Sequence, residues 1–142
     1  MGLRRSGREA ALKILYAVEF QEDPAEVETT IAEFWANHKG SKKLKDYTLG
    51  LVSGVQINGE RIDSLINETS KNWKIERLSY MEKNILRIAI FELLECKDVP
   101  TSVIINEAVE ISREYAGDEA SSFINGILGK IHVEIRTVAG AN

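Results

Sequence analysis

The chain has 142 residues, of which 44% are hydrophobic and 28% charged, the balance expected of one globular domain. Eighteen basic and 22 acidic residues give a net charge of −4, which excludes a uniformly basic coat but not a local basic surface. A single cysteine, Cys96, excludes an internal disulfide and a thiol-built zinc site, and reads as a small hydrophobe in a reducing compartment.

About 150 residues suffice to bury roughly two-thirds of the unfolded surface, so the core needs no staple. No stretch approaches the ~18 apolar residues of a membrane span. Glu9 and Lys13 interrupt the segment after the basic N-terminus, which leaves no signal-peptide core. The expected location is the cytoplasm.

The elements read as helices throughout. A first helix is expected over about Ser6 to Phe20, with Leu12, Leu15, Tyr16 and Glu19 on one side and Ala11 and Val18 beside them. Asp23-Pro24 offers an N-cap followed by proline at the first helical position. Val27, Ile31, Phe34 and Trp35 continue that second helix, and a loop comes next over Asn37 to Ser41. A third helix, about Lys42 to Val55, carries Leu44, Tyr47, Leu51 and Val55 on its apolar stripe. Asn58-Gly59 breaks it, and Ile62, Leu65 and Ile66 mark a shorter fourth.

Ser79 to Leu94 gives the clearest pattern. Ser79 and Glu82 form a capping-box pair, and Ile85, Leu86, Ile88, Ala89, Leu93 and Leu94 make a face wide enough for a central helix. Asp98-Val99-Pro100-Thr101 ends it. The next helix keeps its period through Ala108, Val109 and Ile111 and stops at Gly117-Asp118. Phe123, Ile124, Ile127, Leu128 and Ile131 define the last helix, and the tail from Arg136 reads as frayed. The expectation is an all-α fold of about seven helices. It is a single domain over 1–142, with a soft division into 1–77 and 78–142.

Charge is distributed unevenly. Residues 1–18 hold Arg4, Arg5, Arg8 and Lys13 against Glu9 alone, and residues 19–37 hold Glu19, Glu22, Asp23, Glu26, Glu28 and Glu33 with no basic residue. Lys39, Lys42, Lys43 and Lys45 then stand against Asp46. On a helix Arg4 and Arg8 are i,i+4 neighbours with Arg5 flanking, and three guanidinium forks suit successive phosphates and unpaired bases. Ser6-Gly7 equally suits a helix start, which makes the arginines a flexible arm that orders on RNA. An ordinary solvated basic end also fits the spacing.

No catalytic constellation emerges. His38 and His132 fall in no metal-ligand pattern, the glycines form no phosphate loop, and Ser121-Ser122 has no base nearby in sequence. No cofactor or metal is expected. Asn106 and Asn125-Gly126 interrupt apolar helices; the structural reading is close helix approach at Gly126 and asparagines satisfying buried groups, the other a ligand contact. Phe123 and Tyr16 are core residues or, where exposed, platforms for an unpaired base.

Joined in order, these segments resemble the NusB family of bacterial transcription antitermination factors. The resemblance rests on Arg4 to Ala11 through Leu15-Tyr16, on Asp46 to Val55, and on Trp73 to Leu78. It continues through Glu82 to Ala89 with Glu92-Leu93, then Asp98 to Pro100, Ile105 to Ala108 and Phe123 to Leu128. It departs at Gly7, where the family more often has alanine, a change expected to loosen the arginine helix, and in a short Gly117 to Phe123 loop.

The resemblance implies two packed helical subdomains and a non-enzymatic role. Such proteins pair with the small-subunit ribosomal protein that doubles as NusE, bind single-stranded boxA RNA, and help RNA polymerase read through terminators in ribosomal RNA operons. By carry-over, Arg4, Arg5, Arg8, Tyr16 and Phe123 would meet RNA, and the helix face around Glu82 would meet the ribosomal protein. Homologues occur as monomers or homodimers. Two other readings fit the helical pattern: the RNA-binding module of a ribosomal RNA cytosine methyltransferase, and a purely protein-binding adaptor. An acidic protein of this layout is expected to bind RNA weakly alone and to gain from a basic partner.

Overall fold

The computed structural model describes residues 2–70 and 74–137. The expectations for Trp73 and for the tail beyond 137 lie outside them. Among the described residues seven α-helices are arranged in order: α1 Leu3–Val18, α2 Pro24–Asn37, α3 Lys42–Ile57, α4 Gly59–Thr69, α5 Tyr80–Glu95, α6 Thr101–Ala116 and α7 Asp118–His132. A 3-10 turn at Ile75–Arg77 precedes α5 and a π-helical turn at Val133–Thr137 succeeds α7. Among the described residues there is no strand.

Helix boundaries reflect the local chemistry. Asp23 accepts from the Ala25 N–H at 3.0 Å with Pro24 in the first turn, and the Ser41 hydroxyl accepts from the Leu44 N–H at 3.1 Å. The Ser79–Glu82 capping box closes in both directions, at 3.1 and 3.0 Å. Gly117, at φ +95°, joins α6 to α7 by itself. The stretch expected as a short Gly117 to Phe123 loop is therefore helix from Asp118 onward.

Helix α5 is the centre of the molecule. It packs against α1, α3, α4, α6 and α7, so helices from both halves of the chain share one core. Leu12 and Ile14 of α1, Ile62 and Ile66 of α4, Leu86, Ile90 and Leu93 of α5, and Ile124 and Leu128 of α7 are almost wholly buried there. Phe91 of α5 lies so close to α3 that a Cβ on Gly54 would stand 2.2 Å from its ring. Helix α2 differs: it packs on α1, and none of its residues is fully buried. No described helix is long and apolar enough to cross a membrane.

Four expectations change. Helix α1 starts at Leu3, so the arginines are part of a helix and not a flexible arm. Gly7 does not loosen that helix; it lets Tyr47 of α3 pack on it, and an added Cβ would meet the Tyr47 ring at 2.3 Å. Gly126 has no neighbour within 4 Å of an added Cβ, and Asn106 and Asn125 are exposed. The 3.6-residue period already fills the inner face of α7 with Ile124, Ile127, Leu128 and Ile131, which turns 125 and 126 outward. The buried asparagine is Asn84, which donates to the Tyr80 carbonyl at 2.9 Å and to Glu19 at 3.1 Å.

The fourth concerns Arg136, which is not frayed. Its guanidinium is buried and donates to the carbonyls of Glu92, Leu93, Cys96 and Val99 at 2.8–3.3 Å, and to the Thr101 hydroxyl at 3.2 Å. One cation thus ties together the carbonyls of the turn that ends α5, of which those of Glu92 and Cys96 also accept the Cys96 and Val99 N–H groups. Cys96 sits at that same cap, partly buried, where burial raises its thiol pKa.

Candidate nucleic-acid interface

Three arginines open α1, and the fold treats each differently. Arg4 is 56% exposed and 3.8 Å from Asp98, a still more exposed carboxylate in the turn before α6. Arg5 is half-buried and lays its fork on Glu107 of α6, with Nε to Oε1 at 2.6 Å. Arg8 is 4% exposed; it holds Glu92 of α5 at 2.8–3.0 Å and reaches Glu107 at 3.2 Å. The Tyr47 hydroxyl donates to the same Glu92 at 3.3 Å.

The picture of three forks gripping successive phosphates is corrected accordingly. Arg4 faces solvent and Arg5 stands at the surface beside a carboxylate, whereas Arg8 is an interior ion-pair residue. Buried charges persist only when paired, and Arg8 is paired by two acids 84 and 99 residues away. Nothing in local spacing announces those partners. The Arg5 fork holds the Glu107 carboxyl below the ordinary range against an opposing effect of burial.

The remaining candidates lie further along the same helix pair. Arg8 meets Glu92 near the end of α5, while Glu19 meets Arg87 and Phe20 meets Tyr80 at its beginning, so α1 and α5 run antiparallel. Tyr16 is 52% exposed and Phe20 75% exposed, one turn apart. The Phe20 ring stands edge-on to Tyr80 with centroids 4.8 Å apart, and Lys83 lies 4.7 Å above the Tyr80 ring. Tyr16 therefore faces solvent, not the core side assigned to it from periodicity. Phe20 and Tyr80 were missed as an exposed pair; the i,i+4 step from Tyr16 to Phe20 was the available signal.

Phe123 and Glu82 come together in one groove. Arg77, Leu78, Ser79, Ala116, Glu119 and Ala120 complete it, at the junction of α5, α6 and α7. Ser79 and Glu92 are thirteen positions apart, about 20 Å at helical rise. The structure thus places Phe123 with Glu82 at the aromatic end and not beside the arginines. A strand of nucleic acid that used both groups would have to run the length of α1.

Between the two ends, Arg5, Glu9, Lys13 and Tyr16 lie along one stripe of α1, and Phe20 stands in the turn just past its end. Glu9 is partly buried, and burial together with Glu114 raises its carboxyl pKa. Lys13 lies 6.0 Å from the Tyr115 ring of α6. No group of three or more described His, Cys, Asp or Glu residues is arranged to hold a metal ion.

Comparison with known proteins is consistent along the chain. The NusB family model matches residues 5–133. The transcription antitermination protein NusB of Desulfotalea psychrophila is 42% identical over 135 residues, covering 92% of this chain and 96% of that one. Among solved structures, NusB of T. maritima superposes with a TM-score of 0.82 at 37% identity, covering 92% of this chain and 91% of that one. A chain from the crystal structure of antitermination factors NusB and NusE with double-stranded RNA superposes with a TM-score of 0.79 at 30% identity. That match covers 94% of this chain and 98% of the other. Helix order, the α1–α5 pairing and this continuous match agree: the chain belongs to the NusB family.

Proposed function

We propose that the protein is a cytoplasmic transcription antitermination factor. It binds single-stranded boxA RNA together with the small-subunit ribosomal protein NusE and supports read-through by RNA polymerase in ribosomal RNA operons. Membership of the NusB family carries the reading, and the α1 surface supports it. Exposed Arg4 with Arg5 at the surface on one end, and exposed aromatic rings at the other, supply what an unpaired strand needs, phosphate contacts and stacking.

In this reading Arg4 and Arg5 meet phosphates, Tyr16 stacks on a base, and Arg8 positions the helix from inside. Phe123 extends the RNA surface at the far end, and Glu82, in the same groove, faces the ribosomal protein. RNA and partner then meet at that groove, which gives a physical route to joint binding. Because five of the acidic residues in 19–37 are exposed, the protein alone repels a polyanion over one side. A basic partner offsets that repulsion.

The test is a titration of labelled boxA RNA with the protein, with and without the ribosomal protein. Weak binding alone and tighter binding with the partner are expected. Failure to bind in both cases overturns the reading.

A further inference from the structure

A second surface adjoins the α1 stripe. Ser6, Glu9, Ala10 and Lys13 of α1 form one wall of a cleft, and Phe34, Trp35, His38, Lys39 and Leu44 form the other, around a space of about 220 Å³. Its aromatic side is ordered: His38 stacks on Phe34 with centroids 4.0 Å apart and planes 10° from parallel, and Phe34 stands edge-on to Trp35 at 5.0 Å. Gly40 passes close over Trp35, where an added Cβ would stand 3.0 Å from the ring.

Aromatic rings at the wall of a cleft rimmed by cations suit a planar ring that carries phosphate. Nucleotides have both, and aromatic rings beside them provide stacking.

The charge around the opening points the same way. Lys13 and Lys39 line the cleft, Lys45 lies 5.8 Å from the Trp35 ring, and Lys43 is exposed on the first turn of α3. That turn carries no acidic residue, although a helix N-terminus disfavours cations. Lys42 is offset by Asp46 at 2.8 Å.

We propose that the cleft between α1, α2 and the start of α3 is a nucleotide subsite. It takes an unpaired base of single-stranded RNA against Trp35 and His38, with the adjoining phosphates over Lys39 and Lys43. The subsite rests on the RNA-binding reading above and deepens it: it lies on the α2 side of α1, apart from the arginines, the aromatic end and the Glu82 groove.

The full chain with Trp73→Phe leaves Trp35 as the sole tryptophan. Its emission and the anisotropy of end-labelled boxA RNA are tracked in one titration with the ribosomal protein present. Trp35 emission should change in step with anisotropy, and His38→Ala with Lys39→Ala should weaken RNA binding about tenfold without lowering the melting temperature beyond a few degrees. Polyglutamate, a polyanion without bases, should leave the emission unchanged. RNA binding with unmoved Trp35 emission and unaltered affinity in the double variant overturns the subsite and leaves the antitermination reading standing. An equal response to polyglutamate also overturns it, in favour of an acidic-peptide site. No RNA binding by the unmodified chain overturns both.

Discussion

Arg8 and Glu92 meet inside the protein, fork to carboxylate at 2.8–3.0 Å, with 4% and 2% of their side chains exposed. The pair joins the first helix to the central one and fixes the angle at which Arg4 and Arg5 leave the surface. Removing one partner strands the other charge in the core, which costs about 3–5 kcal/mol. Arg8→Ala is expected to lose that much in urea unfolding. Arg8→Met with Glu92→Leu should lose clearly less, because neither charge remains. Equal losses would show that the pair is not coupled.

Glu107 holds Arg5 and touches Arg8, so it occupies the fork that a phosphate would take. Glu107→Gln is expected to tighten RNA binding several-fold at low salt, read by anisotropy. Arg4→Ala should weaken binding and reduce the salt slope by about one. Weaker binding on Glu107→Gln would assign that carboxylate to positioning Arg5.

The same pair sets a pH dependence. The Arg5 hydrogen bond lowers the Glu107 pKa, so folding is favoured at pH above the unfolded carboxyl value of about 4.3. That contribution is lost as pH falls through the lower folded value. Acid unfolding monitored by circular dichroism should therefore show a smaller decline between pH 5 and pH 3 for Glu107→Gln than for the parent, roughly a window set by these carboxyl values.

Arg136 caps α5 with hydrogen bonds to four carbonyls. Arg136→Met keeps much of the stem but takes the donor from the Leu93 and Val99 carbonyls, at a cost of about 3 kcal/mol. A melting temperature lowered by at least a few degrees checks this. An unchanged value would mean that water replaces the guanidinium without loss.

Gly7 faces Tyr47 across the α1–α3 contact. Gly7→Ala gains helix propensity of about 1 kcal/mol but pushes a Cβ into the ring, an overpacking cost of about 1–3 kcal/mol. The variant should be no more stable than the parent in urea, and more stable once Tyr47 is also changed to Leu than Tyr47→Leu alone.

Helix by helix, the periodic segments were readable because each buries a stripe that the 3.6-residue repeat must display. The capped starts at Asp23 and Ser79 and the stop at Gly117 were readable from single residues with one strong backbone preference, whereas the Ser41 cap reads from the sequence only as loop. The candidate site was readable in part. Arg4, Tyr16, Phe123 and Glu82 all reach the surface or a groove, yet Arg8 looked like its neighbours on α1 and Arg136 looked like part of a loose tail. Their partners lie 84 and 35–44 residues away, beyond any local pattern.

An all-helical chain, the order of its helices and an uneven charge of −4 overall are properties of the residues alone. They depend on neighbours within a turn or two, and on sums. Which charges remain available was settled by packing. Folding brings Glu92, Glu107 and Asp98 against the three arginines, so the apparent basic surplus of residues 1–18 is largely answered from the other half of the chain. An ion pair forms by distance in space, and only the packing of α1 on α5 and α6 sets that distance.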